Sequence, residues 1–162
     1  MSESVEKTEQ LTDHEKRSNV IRLAFGGDPK QFEDFVRIVR ESVPEAEAVV
    51  LRGSAITGYR WKDGALFDAD GPGTSDLDLT LVGGDVLRYY EIDGYWIPGI
   101  HSRPLSEEDP NIAPGLLPLR ARLMEMVHRP VNIQGTREWV QYLRGDVFGQ
   151  PYLTLSGAVA EA

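Results

Sequence analysis

Two aspartates, Asp76 and Asp78, carry the clearest chemical signal in this sequence. They lie two positions apart in residues 76–82, where polar and apolar side chains alternate, and this alternation predicts a half-exposed β-strand. On a strand, residues i and i+2 point to the same side, so both carboxylates leave one face about 6–7 Å apart along the chain. Carboxylates in that arrangement can share one Mg²⁺ ion or bridge two. The pair is therefore a candidate divalent-metal site.

A glycine–serine pair, Gly53 and Ser54, follows a short apolar run and forms a second candidate site. A glycine at the end of a strand allows the backbone to approach a ligand closely. We expect Ser54 to start a short helix-like turn over residues 55–58, where free N–H groups and the serine hydroxyl would bind a phosphate. Arg60 and Lys62 follow closely and are candidates for contact with a triphosphate. A phosphate site beside a two-carboxylate metal site suits in-line attack on a nucleotide phosphorus.

Together the two motifs resemble the signature of the nucleotidyltransferase superfamily, which has a DNA polymerase β-like fold. An apolar strand ending in Gly-Ser precedes an Asp-x-Asp on a later strand, and this chain has VLRGS at 50–54 and SDLDL at 75–79. The resemblance is to small, stand-alone members. It implies that the glycine–serine pair binds a nucleoside triphosphate such as ATP. It also implies that Asp76 and Asp78 are catalytic, bind Mg²⁺ or Mn²⁺, and serve transfer of a nucleoside monophosphate to a hydroxyl acceptor.

The chain departs from this family pattern at two places. Residues 55–75 separate Ser54 from Asp76, a longer spacing than family members usually carry. The turn-rich part, residues 59–74, is expected to form a loop or hairpin insertion over the site. The family's third carboxylate lies on a later strand, where this chain has Asn132. An amide oxygen can ligate the metal, but an amide carries no charge and cannot take up a proton.

More than one function is compatible with this pattern. The first is nucleotide transfer to a hydroxyl acceptor that the sequence does not identify. The alternative is a catalytically weak or inactive module of the same fold that senses a nucleotide or binds a partner, and Asn132 favours it. Simpler readings also exist, because Ser54 alone could be a helix N-cap and Asp76 and Asp78 could be ordinary outward-facing acids.

Composition excludes several other classes of protein. The chain has 162 residues, 41% hydrophobic and 27% charged, which is typical of one globular domain. It has no cysteine, which excludes a disulfide scaffold and thiolate chemistry and favours a cytoplasmic location. The short apolar runs argue against a membrane span. A formal net charge of −9 argues against broad nucleic-acid binding and favours a small substrate or a metal-bridged phosphate.

Local signals predict the elements that must position these residues. A capping box at Thr12 and Glu15 starts a first helix, and Asp28 before Pro29 starts a second. Further helices are expected over 85–91, 114–127 and 136–145, a loop over 101–114, and strands over 48–51, 76–82, 95–100, 131–134 and 152–155.

The order of these elements predicts the fold class. Strands that alternate with helices indicate an α/β (α+β) domain with a mixed β-sheet flanked by helices, similar to the nucleotidyltransferases. Residues 1–18 are taken as a polar N-terminal segment and residues 19–162 as a single domain that carries the insertion at 59–74.

Overall fold

Helices pack on a mixed β-sheet in the part of the chain that the computed structural model describes, residues 11–139 and 150–159. This architecture confirms the predicted α/β class. Short 3₁₀ helices lie at Gly84–Tyr89, Ile92–Gly94 and Pro114–Leu116. The α-helices and strands, in chain order, are α1 Asp13–Ala24, α2 Pro29–Ser42, β1 Ala48–Arg52, β2 Leu77–Val82, β3 Tyr95–Ile97, β4 His101–Ser102, α3 Leu117–Val127, β5 Val131–Thr136 and β6 Tyr152–Gly157.

The first two helices begin where the capping signals predict. The Thr12 hydroxyl accepts the Glu15 N–H, and the Glu15 carboxylate accepts the Thr12 N–H, both at 3.1 Å, which completes the capping box. The Asp28 carboxylate accepts the Lys30 N–H at 3.0 Å at the start of α2. Helix α1 therefore begins within residues 1–18, which the sequence set apart as a polar N-terminal segment.

The strands form one sheet in the order β3-β4-β5-β2-β1-β6. Strands β2 and β5 are parallel, and helix α3 lies in the long connection between them, as a parallel crossover requires. Strands β1 and β2 are antiparallel. The register places Asp78 of β2 directly between Arg52 of β1 and Asn132 of β5. Three polar residues thus lie side by side across the centre of the sheet.

The two faces of the sheet differ in character. One face carries alternate apolar residues, such as Leu51, Leu79 and Ile133, which belong to the main core together with residues of all three helices. Burial of this large apolar surface is the main force that holds the helices on the sheet. The opposite face carries the polar residues of β2 and β5 and a smaller apolar cluster that contains Val50 and Trp139.

Four local predictions need correction. Strand β2 begins at Leu77, so Asp76 lies one residue before the strand that was predicted to include it. The helix predicted over 85–91 is a short 3₁₀ helix, and the strand predicted over 95–100 ends at Ile97. Strand β4 lies in the predicted loop, because His101 pairs with Thr136 across the sheet. Pairing of this kind depends on a distant strand and leaves no local pattern.

Two further predictions concern the last helix and a membrane span. The last predicted helix, over 136–145, falls largely on residues 140–149, which lie outside the described part. Within residues 11–139 and 150–159, no helix combines the length and apolar character needed to cross a bilayer.

Candidate functional site

The two predicted motifs meet at one cavity of about 400 Å³. Gly53 and Ser54 follow the end of β1, and Asp76 and Asp78 lie at the start of its antiparallel neighbour β2. Because the end of one strand adjoins the start of the other, the phosphate motif and the carboxylates reach the same edge of the sheet. All four residues line the cavity.

Asn132 links the two carboxylates. Its Nδ2 donates to Asp76 Oδ2 at 2.8 Å and to Asp78 Oδ1 at 3.0 Å. One amide group thus lies between oxygens of both acids, which the structure brings together with Asn132 at one place. The two amide hydrogen bonds stabilise the neighbouring negative charges.

The carboxyl group of Asp78 has a raised pKa. Removal of its carboxyl group from water and the negative charge of Asp76 raise the pKa of Asp78 to about 6, against the opposing effects of Arg52 and Asn132. Arg52 is a site residue that sequence reasoning missed. Its guanidinium lies on the same face, with Nε 3.3 Å from Thr80 Oγ1. The sequence signal that could have identified Arg52 is its position, because it is a charged residue at the end of an apolar strand.

Gly53 is required by both its backbone and its surroundings. Its φ of 107° lies in a region that side chains rarely allow, and a Cβ at this position would lie 3.2 Å from Asp78 Oδ2. The glycine therefore allows β1 to end directly against the carboxylate. This close approach brings the glycine–serine pair beside the carboxylate pair.

The turn predicted after Ser54 is present, but it does not continue into a helix. Residues 54–57 form a turn and not a helix, with the Gly58 N–H donating to the Ser54 carbonyl at 2.7 Å. Gly58 has a φ of 94°, and this left-handed conformation ends the turn before a helix can extend. A helix dipole is therefore not available to a phosphate here. The contribution of Ser54 to an anion site depends on its hydroxyl and nearby N–H groups.

Residues 59–74 include the predicted hairpin, which lies beside the cavity. Tyr59 pairs with Leu66 in an antiparallel bridge, and the Arg60 N–H donates to the Ala65 carbonyl at 2.7 Å. The predicted phosphate contacts Arg60 and Lys62 both line the cavity. The Arg60 guanidinium is held by two carboxylates, at 3.2 Å from Asp63 and at 3.6 Å from Asp70. These exposed pairs are weak, so Arg60 can exchange them for a phosphate.

An ion pair fixes the end of this insertion next to Asp76. Arg129 donates to Asp68 at 2.8 and 3.1 Å and to the Ser75 carbonyl at 2.9 Å, and its guanidinium lies 4.5 Å from the centre of the Phe67 ring. Asp68 also accepts the Ser75 N–H at 2.9 Å. The hydrogen bonds from Arg129 lower the pKa of Asp68 to about 2. The insertion is thus tied to the sheet one residue before the carboxylate pair.

Asp76 and Asn132 also line a second cavity, of about 370 Å³. Glu107, Glu108 and Ser106 line it, so its charge is negative. Asp76 is shared with the first cavity, where Arg60 and Lys62 are found. The first cavity therefore carries two cations beside three aspartates, whereas every charged side chain that lines the second cavity is a carboxylate.

The oxygen donors at this centre suit Mg²⁺ better than a metal whose ligands must all come from the protein. Oxygens of Asp76 and Asp78 converge on one point, because both lie within 3.0 Å of the same Asn132 nitrogen. Rotation of the amide would present Asn132 Oδ1 in place of the nitrogen. Among the described residues, no group of three or more His, Cys, Asp or Glu side chains is arranged to hold a metal. Mg²⁺ is commonly bound by one or two carboxylates, with water and substrate phosphates completing its shell.

Comparisons with protein-family models, with curated proteins and with solved structures found no match to this chain.

Proposed function

We propose that this protein binds a nucleoside triphosphate together with Mg²⁺ and transfers its nucleoside monophosphate to a hydroxyl acceptor. The observation that carries the proposal is the meeting of Gly53, Ser54, Asp76 and Asp78 in one cavity, at adjacent ends of β1 and β2. A phosphate-binding turn and a two-carboxylate metal site need to be neighbours for phosphoryl chemistry. The nucleotidyltransferase resemblance of the sequence supports the same assignment.

The residues of the first cavity have distinct tasks in this reaction. Gly53 and Ser54 bind the β- and γ-phosphates, and Arg60 and Lys62 neutralise part of their charge. Asp76 and Asp78, with the oxygen of a rotated Asn132 side chain, hold Mg²⁺. When bound, Mg²⁺ would stabilise negative charge on the phosphate oxygens.

The bond changes balance without a further co-reactant. The acceptor oxygen forms a bond to the α-phosphorus, and the bond from that phosphorus to the bridging oxygen of the β-phosphate breaks. Pyrophosphate leaves with the electron pair, and the proton of the acceptor hydroxyl passes to solvent water. Asn132 cannot take up this proton, because an amide is not a base near neutral pH.

The second cavity supplies an approach for the acceptor. It is lined by Asn132 and by Asp76, which also lines the first cavity, so an acceptor hydroxyl bound there would lie beside the same carboxylate centre.

An inactive nucleotide-binding module is the second candidate, and one observation favours it. Asn132 donates to both carboxylates, as a cation would interact with them, and it replaces the acid expected at this position. Such a centre retains the phosphate turn but binds the metal with one negative charge fewer. The fold and the nucleotide site would then serve sensing or partner binding.

Binding and transfer experiments separate these candidates. Calorimetry with ATP and MgCl₂ should show binding to the wild-type protein that an Asp76→Ala, Asp78→Ala double variant loses. Asp85→Ala is the matched control, because Asp85 is an exposed acid whose recorded ion pair is with Arg88. Wild-type binding that survives in the double variant would contradict the proposed site.

Transfer is measured with α-labelled nucleoside triphosphates and a cell lysate as the source of acceptors. Release of pyrophosphate with label on an acceptor supports the enzyme. Nucleotide binding without any transfer, in Mg²⁺ and in Mn²⁺, favours the inactive module.

A further inference from the structure

One large aromatic side chain at the nucleotide cavity has no role in the core. Trp61 lies in the hairpin of the 59–74 insertion, is 39% exposed, and lines the same cavity as Ser54 and Asp78. It belongs to neither of the two apolar clusters of the described residues. Its indole therefore offers a partly exposed apolar surface to a molecule bound in this cavity.

The hairpin holds this side chain in a defined position. Arg60, on one side of Trp61, donates its N–H to Ala65 and accepts the Gly64 N–H at 2.8 Å. The Asp63 carboxylate accepts the Ala65 N–H at 2.9 Å and contacts the Arg60 guanidinium. A short turn bonded in this way keeps the indole beside the cavity without core packing.

The neighbours of Trp61 indicate what covers it. Arg60 and Lys62 flank it in sequence, and both line the same cavity. The cations suit phosphate, and the flat apolar ring suits the face of a heterocycle. A molecule with a triphosphate at one end and a planar base at the other meets both requirements.

We infer that Trp61 is the platform on which the base of the bound nucleotide stacks. The inference rests on the proposed function and names the part of the substrate that the phosphate and metal residues do not recognise. Stacking on an indole accepts any base face, and its strength increases with ring area. The site therefore selects nucleotides over other polyphosphates and binds purine nucleotides more tightly than pyrimidine nucleotides.

The test compares a ligand that has a base with one that lacks it. Calorimetry measures the affinities of ATP, CTP and inorganic tripolyphosphate, each with Mg²⁺, for wild type, Trp61→Leu and Trp61→Phe. The matched control is Trp96→Leu, because Trp96 is 50% exposed on β3, which three strands separate from β1 in the sheet. Thermal melts show whether each variant is folded.

We expect Trp61→Leu to weaken ATP binding by about 5- to 150-fold, which is the range expected for the loss of one base–aromatic stack. Tripolyphosphate affinity should change by less than about twofold, and Trp61→Phe should restore most of the ATP affinity. Tryptophan fluorescence gives a second readout, since ATP should quench wild type and Trp96→Leu but not Trp61→Leu.

Three results would overturn the inference. Unchanged ATP affinity in Trp61→Leu would show that the base is not held there. Equal losses for ATP and tripolyphosphate would show that Trp61 only supports the hairpin. Failure of wild type to bind either ligand would remove the proposed function itself, and the stacking inference with it.

Discussion

Replacement of Asn132 by aspartate tests the carboxylate centre most directly. In the wild-type protein, the Asn132 amide donates to Asp76 and Asp78 at 2.8 and 3.0 Å. Each hydrogen bond to a charged group contributes about 1.5–3 kcal/mol. Asn132→Asp removes both bonds and places a third negative charge opposite Asp78 in the register of β2 and β5. Without metal, we therefore expect the free energy of unfolding at pH 7 to fall by about 3 kcal/mol or more.

The same substitution should strengthen metal binding. A third anionic oxygen balances more of the charge of Mg²⁺ or Mn²⁺, so the variant should regain stability with millimolar Mn²⁺. A tenfold gain in metal affinity corresponds to about 1.4 kcal/mol of additional stabilisation at saturating metal. If the proposed transfer reaction occurs, its rate should rise by about 10²-fold or more, because the new group can act as a base.

The assay is a urea melt of wild type, Asn132→Ala and Asn132→Asp, with EDTA and with Mn²⁺. Asn132→Ala removes the hydrogen bonds and adds no charge, so it separates the two effects. In EDTA we expect wild type to be the most stable, Asn132→Ala to be less stable and Asn132→Asp to be the least stable. Addition of Mn²⁺ should raise the free energy of unfolding of Asn132→Asp most. Equal stability of the two variants in EDTA, with equal gains from Mn²⁺, would refute the reasoning. The third acid would then be sought at Glu107 or Glu108 in the second cavity.

Three further predictions concern the residues around this centre. Gly53→Ala places a methyl group about 3.2 Å from Asp78 Oδ2 at a φ of 107°, and a denaturant melt should show a loss of about 1–3 kcal/mol. Ser54→Ala removes a phosphate donor and should weaken ATP binding by about 1–2 kcal/mol in calorimetry, with stability unchanged. Asp68 has a folded pKa of about 2 against an ordinary 3.8, so its pairing contributes stability above about pH 4 that is lost as the pH falls to 2. Allowing for partial exposure, the stability difference between wild type and Asp68→Asn should be about 1–2 kcal/mol at pH 7 and should shrink over that window.

Each of these predictions has a control or a contrary outcome. Gly99→Ala is the matched control for Gly53→Ala, because Gly99 has a φ of 76° and open space around it. If both variants lose the same unfolding free energy, the close approach of residue 53 to Asp78 does not contribute to the loss. Lower stability of Ser54→Ala with unchanged affinity would make Ser54 a structural residue. If the difference in unfolding free energy between wild type and Asp68→Asn stays constant between pH 4 and pH 2, the Asp68 ion pair does not stabilise the fold.

Much of the local structure could be predicted because its causes are local. The capping box of Thr12 and Glu15 depends on residues three apart, and it forms as expected. The apolar run at Ala48–Arg52 and the alternation in Leu77–Val82 predict strands, since burial of one face requires that pattern. The alternation also explains why Asp78 and Asn132 could be assigned to the polar sides of their strands.

The features that were missed depend on distant parts of the chain. Strand β4 exists because it pairs between β3 and β5, and no pattern in residues 101–114 indicates such partners. The role of Arg52 depends on β1 lying beside β2, which brings its guanidinium to the polar face.

The amino-acid sequence by itself determined which side chains this protein has for chemistry and on which face of each strand they lie, because the two-residue period of a strand is a local property. Only the tertiary structure decided that these side chains meet. Asn132 contacts Asp76 and Asp78 because the parallel pairing of β2 with β5 sets their register across more than fifty residues. That register is chosen by the packing of Leu79 and Ile133 into the core on the opposite face, since a shift of one residue would bury the acids and expose the apolar side chains.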